Sequence, residues 1–313
     1  MPTTAAATTA AVDSGAGAGT LQSAYVAVVR RILPSVVQIE TSHGLGSGIV
    51  YDAQGDIVTN NHVIAGATSV AVTTSTGKKY QGTLVGTFAP DDLAVIHVNN
   101  ATLTPASFAD SSKLEVGDIV MAVGNPLGLQ SSVTAGITSA TGRTVSEDNG
   151  VVLPDTIQTS AEINPGNSGG ALVDLNASVV GIPTLGAVDQ QLGGSAPGIG
   201  FAIPSNMVTS IASQLVMGGR VTHSGRAYMG VRIAVADTNG ALVASVTPGS
   251  PAANGGLQPG DVITSVKGEA IASPGDLDQA LAELAPGDRV AMGVLGQDGL
   301  QRTVSITLGD LPA

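Results

Sequence analysis

Short apolar runs, separated by clusters of Gly, Asn, Asp and Pro, recur along most of the chain. This pattern is typical of β-strands joined by tight turns, because the runs are too short for most helices and the intervening residues favour turn conformations. The 42 glycines among the 313 residues suit a fold with many turns. Since only 2% of the residues are aromatic, the core must consist of Val, Ile, Leu and Ala. The sequence therefore predicts a mostly β protein, a barrel or sandwich rather than a helical bundle.

The strand-like runs fall into two groups within residues 21–219, which predicts two barrel-like halves. Apolar residues at helical spacing predict one helix at the start of this region. A second helix is expected to begin at Ser205 or Asn206, which are good N-cap residues, and to end at the glycine pair 218–219.

The ends of the chain and one short internal segment differ from these groups. Residues 1–20 are rich in Ala, Thr and Gly, which predicts a disordered leader or linker. Residues 220–226 are polar and without pattern, which predicts a linker between two domains. In residues 227–313 the order strand, strand, helix, strand predicts a compact α+β module.

Charge and composition exclude several classes of protein. The formal net charge is −12, and the 12 Lys and Arg residues do not form the basic stripe that a nucleic-acid binder needs. Without cysteine there is neither a disulfide framework nor a thiolate metal site, and no H-E-x-x-H motif indicates a metallohydrolase. We expect no metal, no cofactor and no nucleic-acid partner. No apolar run is long enough to span a bilayer, and the first residues lack the features of a signal peptide, so membrane attachment would need an anchor absent from this chain.

The segment EINPGNSGGAL places Ser168 in a glycine-rich loop. A serine hydroxyl is a weak nucleophile until a base removes its proton, and the oxyanion that then develops needs fixed N–H donors. Glycine permits the backbone conformations that turn N–H groups toward one point. Gly166, Asn167 and Ser168 are therefore candidates for an oxyanion hole. The alternative is an ordinary surface turn, because the same residue types favour turns.

Among the four histidines, His62 is the best candidate for a general base. It follows a strand-like run at the point where a strand gives way to a loop, and catalytic groups favour such positions. His97 continues an alternating strand pattern, which predicts a place on a strand face. His43 and His223 lie in polar surroundings, which predicts solvated side chains.

A general base is held in one tautomer by a neighbouring carboxylate, and two aspartates precede the apolar run LAVIHV. Asp92 adjoins the run directly and is expected to enter the interior, whereas Asp91 fits a solvated acidic turn. The order His62, Asp92, Ser168 is one of the known chain orders of the Ser-His-Asp triad. Each signal is weak alone, and together they predict a serine hydrolase.

The chain closely resembles the HtrA (Deg) family of serine proteases in six successive blocks: GSGIVYDAQGDIVTNNHV, DDLAVIHV, VGDIVMAVGNPLGL, SVTAGITSATGR, IQTSAEINPGNSGGAL and GIGFAIPSN. The resemblance covers nearly everything after the leader. It implies a chymotrypsin-like double β-barrel followed by a PDZ domain. It also implies the triad His62, Asp92 and Ser168, with Gly166 and Ser168 as oxyanion-hole donors. In that family the aspartate immediately precedes the apolar strand, which favours Asp92 over Asp91.

The chain departs from the family pattern near the expected substrate pocket. The family usually has Asp-Ala-Ala at 160–162, and Glu162 lies where a trypsin-like protease carries the carboxylate of its specificity pocket. One hypothesis is a preference for a basic side chain before the scissile bond; the alternative is that Glu162 points to solvent and that small apolar residues are preferred. Pro183 replaces a frequent asparagine and cannot donate an N–H to substrate, and Ala171 replaces a frequent proline with little expected consequence. The pocket candidates are Glu162, Ile163, Ile182, Pro183 and Thr184.

The segment YMGV resembles the carboxylate-binding loop of a PDZ domain, and GSPAANGGLQPGDVITSVKGEAI is similar to the core that follows it. Such a domain binds a peptide C-terminus as an added strand, while backbone N–H groups hold the terminal carboxylate. Leucines of the following helix are spaced at i, i+4 and i+7, and each of them lines either the groove or the core. The candidate peptide-binding residues are Tyr228, Met229, Gly230, Val231, Leu277 and Leu281.

The resemblance implies an ATP-independent serine endopeptidase of the cell envelope that degrades unfolded or damaged proteins, with a PDZ domain that regulates it. A segment at 143–154 falls where the family has a loop that senses activating ligands. The family commonly forms trimers through its N-terminal segment, often with aromatic contacts. Because Tyr25 is the sole aromatic residue before Tyr51, a homotrimer stays an open expectation. The alternative function is a PDZ-containing chaperone or scaffold with an inactive protease domain.

Overall fold

The computed structural model describes residues 15–99, 101–125, 132–146, 151–164, 166–189, 194–234 and 239–312. The first element is helix α1, Gly15–Ile32, which begins earlier than the sequence predicts. Residues 15–20 thus belong to a helix and not to a disordered leader, while residues 1–14 lie outside the described part. The helix is stabilised by packing of its apolar face on the barrel core, where Val28 and Ile32 are 3% and 2% exposed.

The first barrel is a closed sheet of six strands in the order β1-β2-β3-β6-β5-β4. Its strands are β1 (Val36–Thr41), β2 (Leu45–Val50), β3 (Asp56–Asn60), β4 (Val70–Thr73), β5 (Lys79–Phe88) and β6 (Leu93–Val98). A short helix, α2 (Asn61–Ile64), follows β3, and a 3₁₀ turn (Ala89–Asp91) precedes β6. The barrel interior consists of aliphatic residues such as Val37, Ile57 and Ile96, which are fully buried, as the composition predicts.

Strands β8 to β13 form a second ring, because β11 pairs with both β8 and β12. They are β8 (Ile119–Gly124), β9 (Ser132–Ser146), β10 (Val152–Thr159), β11 (Ala171–Val173), β12 (Ser178–Asp189) and β13 (Gly194–Pro204). A short strand before them, β7 (Ser107–Phe108), adds to β12 in parallel. The two rings confirm the prediction of a mostly β chain with two barrel-like halves.

Helix α3, Ser205–Gly218, follows the second ring and ends at Gly219 in a left-handed conformation with φ 67°, as predicted. Its N-cap residue is Pro204 and not Ser205 or Asn206. Both side chains bond to the β7–β8 connection instead: the Ser205 hydroxyl donates to the Ala109 carbonyl at 2.6 Å, and the Asn206 side-chain oxygen accepts from Ser111 N. Neither α3 nor any other helix in the described ranges is both long and apolar enough to cross a bilayer.

The C-terminal module has its own sheet and its own apolar core. Its elements are β14 (Ala227–Tyr228), β15 (Val231–Ala234), β16 (Ala241–Val246), α4 (Pro251–Asn254), β17 (Val262–Val266), β18 (Glu269–Ala270), α5 (Pro274–Ala282), β19 (Arg289–Leu295), β20 (Gln301–Thr307) and β21 (Gly309–Asp310). Helix α5 begins with a capping box, in which the Ser273 hydroxyl accepts from Asp276 N and the Asp276 carboxylate accepts from Ser273 N. This arrangement agrees with the predicted α+β module.

The segment 220–226, predicted as a linker, is packed against both units. Val221 is 2% exposed and belongs to the core of the barrels. Ser224 donates its N–H and its hydroxyl to Asp310 at the end of the C-terminal module. Arg226 reaches Asp91 of the first barrel at 2.9 Å. The sequence of segment 220–226 did not predict these contacts, because the partners Asp310 and Asp91 are distant in sequence.

Candidate active site

Neighbouring strands of the first barrel bring His62 and Asp92 together. His62 lies in α2 just after β3, Asp92 lies just before β6, and the two strands pair so that Asn60 faces Leu93. His62 Nδ1 is 2.7 Å from Asp92 Oδ2, and the His62 backbone N–H donates to Asp92 Oδ1 at 2.9 Å. One carboxylate therefore fixes both the main chain and the ring of the histidine.

Asp92 is held firmly on all sides. Its φ of 50° is left-handed, a conformation that is uncommon outside glycine, and it follows directly on the 3₁₀ turn. Its carbonyl accepts from the Asn60 side chain at 3.1 Å and from Asn61 N at 2.9 Å. The Thr184 hydroxyl of the second barrel donates to Asp92 Oδ2 at 2.9 Å. The side chain of Asp92 is only 2% exposed, so the carboxylate lies in the interior as predicted.

The loop that carries Ser168 belongs to the second barrel and is bound to the first by Ser47. The Ser47 hydroxyl donates to the Gly166 carbonyl at 2.5 Å, and Ser47 N donates to the Ser168 carbonyl at 2.9 Å. Gly169 follows with a φ of 78°, and a Cβ there would lie 2.2 Å from the Ser47 carbonyl oxygen. Only glycine fits this close approach, which explains part of the glycine content of the loop.

Ser168 and His62 line one open cavity of about 450 Å³. The Ser168 hydroxyl donates to the Thr184 carbonyl at 3.1 Å. The His62 ring is 38% exposed, in contrast to the buried carboxylate behind it. The remaining lining residues are His43, Gly44, Leu45, Val63, Ile163, Asn164, Gly166 and Thr184. Two of the predicted triad residues, His62 and Ser168, thus line one cavity where the two barrels meet, and the third, Asp92, is buried behind the His62 ring.

The three predicted oxyanion-hole donors differ in their surroundings. Asn167 N donates to the Asn164 carbonyl at 3.0 Å, so this N–H is engaged in a turn and is not directed at a substrate. Within the described part of the chain, the N–H groups of Gly166 and Ser168 make no hydrogen bond. Gly166 has a φ of 104°, a conformation that glycine alone adopts readily. Including Asn167 among the donors was wrong, whereas Gly166 and Ser168 remain candidates.

Only some of the predicted pocket residues line the cavity. Ile163 and Thr184 line the cavity, but the side chain of Glu162 is exposed and lies outside the lining. Ile182 is fully buried in the barrel core, so its assignment to the pocket was wrong. Pro183 is buried, and its carbonyl accepts from Gly169 N at 3.1 Å. On strand β12, Ile182 packs in the core and the Pro183 carbonyl bonds to the serine loop. Of the three predicted residues on this strand, only Thr184 lines the cavity.

Near the site, the prediction for Asp91 was wrong, and His43 has a position that the sequence did not predict. Asp91, predicted in a solvated turn, is fully buried and paired with Arg226 at 2.9 Å. His43 is exposed, as predicted, and it also lines the cavity, with Nε2 at 3.0 Å from the Gly66 carbonyl. In the run APDD, the only sequence difference between Asp91 and Asp92 is that Asp92 adjoins the strand. The burial of Asp91 could therefore not be predicted. The position of His43 depends on the β1–β2 hairpin, which the spacing alone did not locate.

The other two histidines each contact an aspartate away from the cavity. His97 Nδ1 lies 2.8 Å from Asp56 Oδ1 across the β3–β6 pair, and burial raises the pKa of Asp56 despite this contact. His223 Nδ1 lies 3.7 Å from Asp310 Oδ2 near the C-terminal module. Among the described residues no group of His, Asp and Glu has the arrangement of a metal site.

A second cavity of about 550 Å³ lies between β15 and α5 of the C-terminal module and the barrels. All six candidate peptide-binding residues line it, namely Tyr228, Met229, Gly230, Val231, Leu277 and Leu281. Met229 and Leu277 are 2% and 1% exposed and so belong mainly to the core of the module. Gly230 has a φ of 83°, and a Cβ there would lie 2.3 Å from Ser250 Cβ. The opposite wall includes Val151, Val152 and Met207 of the barrels.

Family models match both parts of the chain. Residues 46–182 match the trypsin-like peptidase domain, and residues 227–308 match the PDZ domain. The serine protease PepD of Mycobacterium tuberculosis is 41% identical over 305 residues, which cover 90% of this chain and 65% of PepD. The periplasmic serine endoprotease DegP of Escherichia coli is 43% identical over 274 residues, which cover 84% of this chain and 56% of DegP. The chain therefore spans 56% to 65% of the length of these curated relatives.

Solved structures match both domains together. The serine endoprotease from Yersinia pestis shares 35% identity with a TM-score of 0.63, over 92% of this chain and 98% of that chain. The HtrA-type protease AlgW with tripeptide shares 34% identity with a TM-score of 0.65 and the same coverage. These structures share more than 30% sequence identity with this chain and contain both domains in the same order. This similarity indicates membership of one family and not only a shared fold. The chain belongs to the HtrA family of serine proteases.

Proposed function

We propose that the chain is an ATP-independent serine endopeptidase that cleaves unfolded or damaged proteins. The observation that carries the proposal is the contact of the His62 ring with the buried carboxylate of Asp92, in a cavity that Ser168 also lines. The carboxylate accepts a hydrogen bond from Nδ1–H and so holds the ring in the tautomer with no proton on Nε2, which a general base requires.

In the proposed reaction, the Ser168 hydroxyl turns from the Thr184 carbonyl to His62 Nε2 and attacks the scissile carbonyl carbon. His62 takes the hydroxyl proton and then gives it to the leaving amine, which forms an acyl-enzyme on Ser168. The N–H groups of Gly166 and Ser168 stabilise the oxyanion. A water molecule, activated by His62, then attacks the ester and releases the second product.

For specificity we propose a preference for apolar side chains before the scissile bond. The cavity has aliphatic walls at Leu45, Val63 and Ile163, and the carboxylate of Glu162 is exposed outside it. Cleavage-site profiling by mass spectrometry on an unfolded protein tests this. We expect the same apolar profile from wild type and from Glu162→Ala, because the carboxylate does not contact the substrate. A basic preference that disappears in Glu162→Ala would contradict the proposal, and Ser168→Ala controls for contaminating proteases.

We further propose that the cavity beside α5 binds C-terminal peptides with an apolar last residue. Its leucine side chains suit apolar contacts, and the loop 228–231 offers backbone N–H groups for a carboxylate. AlgW, one of the similar structures, was solved with peptides. Because Val151 and Val152 form part of the opposite wall, a bound peptide would touch the protease domain and shift its loops toward a working arrangement.

The proposed location is supported by the names of relatives, and the proposed assembly by exposed residues of α1. DegP and DegQ of Escherichia coli are named periplasmic proteases, and we propose an extracytoplasmic location in the cell envelope for this chain. Self-association through α1, as a homotrimer, is supported by the partial exposure of Leu21 and Val26 on that helix. Sedimentation of wild type and of Leu21→Ser/Val26→Ser tests the assembly, because these two exposed side chains are not part of the barrel core.

An alternative proposal is a peptide-binding chaperone whose protease domain rests in an inactive arrangement. The hydrogen bond from the Ser168 hydroxyl to the Thr184 carbonyl favours it, because the hydroxyl proton is then directed away from His62. The alternative predicts that a peptide ligand does not raise the rate at which Ser168 reacts with an electrophile.

A further inference from the structure

Arg226 connects the C-terminal module to the segment just before the triad aspartate. Its Nη1 donates to the Pro90 carbonyl and, at 2.9 Å, to Asp91 Oδ1, while Nη2 donates to the Val152 carbonyl at 2.8 Å. The Arg226 side chain is 16% exposed and that of Asp91 is fully buried. A planar guanidinium can hold several acceptors in a fixed geometry, which a lysine ammonium cannot.

The acceptors of Arg226 in the first barrel form the 3₁₀ turn Ala89–Asp91, and Asp92 is the next residue. Asp92 N donates to the Ala89 carbonyl at 3.0 Å, and Asp92 has a left-handed φ of 50°. A non-glycine residue remains in such a conformation only when its surroundings enforce it. The guanidinium holds this turn at its middle and last residues, so it fixes the main chain from which the carboxylate of Asp92 projects.

Stability alone does not account for this ion pair. Burying two charges costs more solvation energy than their attraction returns unless every polar atom is satisfied. Within the described part of the chain, Asp91 Oδ2 is buried and has no hydrogen-bond partner. Burial accordingly raises the pKa of Asp91 to about 6, although the positive charge of Arg226 opposes this shift. Because Asp91 Oδ2 has no partner among the described residues, the geometry that the pair imposes explains it better than stabilisation of the fold does.

We propose that Arg226 is a positioning residue for the catalytic carboxylate of Asp92, acting through the turn Ala89–Asp91. Its role presupposes the triad of the proposed function. Arg226 contacts neither substrate nor the His62 ring; it determines where the Asp92 carboxylate lies and therefore how the ring of His62 is oriented. The segment 220–226 thus contributes to the active site as well as joining the two domains.

The test compares the full-length wild type with Arg226→Ala, Arg226→Lys and the double variant Arg226→Ala/Asp91→Asn. The double variant removes the unpaired buried carboxylate that Arg226→Ala alone would leave, so a loss that persists in it is not a consequence of that charge. Arg220→Ala is the matched control, because Arg220 lies in the same segment and is exposed. Thermal melting identifies any variant that does not fold.

Two readouts are taken: kcat and KM on a short chromogenic peptide, and the hydrogen-bonded Nδ1 proton resonance of His62 by NMR, assigned with His62→Ala. We expect the double variant to lose about 10- to 100-fold in kcat with KM nearly unchanged, since small displacements of catalytic groups have effects of this order. Its Nδ1 proton resonance is expected to broaden or disappear, Arg226→Lys is expected to be intermediate, and Arg220→Ala is expected to match wild type.

A double variant that folds and matches Arg220→Ala in both kcat and the proton resonance would overturn the positioning role. If wild type cleaves neither this peptide nor an unfolded protein, with a C-terminal peptide present or absent, the proposed function fails, and the resonance still decides the inference. An unchanged resonance in the double variant then counts against Arg226, and a lost resonance supports it.

Discussion

At the scale of single residues, two adjacent carboxylates have opposite surroundings. Asp92 accepts hydrogen bonds from the His62 main chain, the His62 ring and the Thr184 hydroxyl. Asp91 meets one cation, and its second oxygen has no partner within the described residues. These neighbours in sequence differ because Asp91 is the last residue of the 3₁₀ turn and Asp92 follows it in a left-handed conformation, so the two carboxylates meet different partners.

The raised pKa of Asp91 predicts a pH dependence of stability. Burial raises the pKa to about 6 from an ordinary 3.8, so the folded state holds this proton more tightly than the unfolded state. Its contribution to the free energy of unfolding is therefore largest at low pH and is lost as the pH rises through about 6. The stability of wild type relative to Asp91→Asn should fall by about 2–3 kcal/mol between pH 4 and pH 7.

Urea unfolding of both proteins at several pH values measures this difference. The asparagine side chain of the variant has the shape of the aspartate, keeps an acceptor for Arg226 and does not titrate, so the comparison isolates the carboxyl group. A difference that is constant with pH, or that grows toward neutral pH, would contradict the assignment of the buried proton to Asp91.

At the scale of elements, the serine loop depends on the approach of two main chains. Gly169 and Gly198 share a φ of 78°, but a Cβ at 169 would lie 2.2 Å from the Ser47 carbonyl oxygen, whereas at 198 no atom of the described residues lies within 4 Å. Gly198→Ala should cost only the left-handed conformation, about 1–2 kcal/mol. Gly169→Ala has the same cost and must also displace the loop from Ser47.

We expect Gly169→Ala to react with a fluorophosphonate at least about tenfold more slowly than Gly198→Ala, because this displacement moves Ser168 and the oxyanion donors. Labelling rates at equal protein concentration measure the effect, and melting curves show whether both variants fold. Equal rates would mean that the contact of Ser47 with the loop does not position Ser168.

The same scale shows what the sequence can and cannot predict. Strands and turns were predictable because apolar runs and turn residues are local signals. The start of α1 was missed because residues 15–20 are Gly, Ala and Thr: glycine and threonine have low helix propensity, and the segment has no large apolar residues at helical spacing. The N-cap of α3 was misplaced because Ser205 and Asn206 bond to a distant connection.

At the scale of the whole molecule, the peptide cavity is shared by the C-terminal module and the barrels. If loop 228–231 binds a terminal carboxylate, a peptide with an apolar last residue should bind the full-length Ser168→Ala protein at least about tenfold more tightly than its C-terminally amidated form. Calorimetric titration measures both affinities. Equal affinities, or no saturable binding of either peptide, would contradict the assignment of the cavity.

The sequence could not predict the residues that support the triad through contacts between the two barrels. The sequence predicts the triad candidates His62, Asp92 and Ser168 from their order and from the glycine-rich loop around Ser168. The partners that support them, Ser47 and Thr184, are ordinary strand residues that matter only because the two barrels meet there. The role of Arg226 could not be predicted either, because Arg226 lies 135 residues from its partner Asp91.

The central claim is that one serine is activated by one histidine that a buried carboxylate holds in place. Reaction of the full-length protein with a fluorophosphonate probe, followed by mass spectrometry of the adduct, tests it most directly. We predict a single adduct on Ser168 in wild type, no adduct in Ser168→Ala and a greatly slowed reaction in His62→Ala. An adduct on another residue, or an unchanged rate in His62→Ala, would contradict the claim.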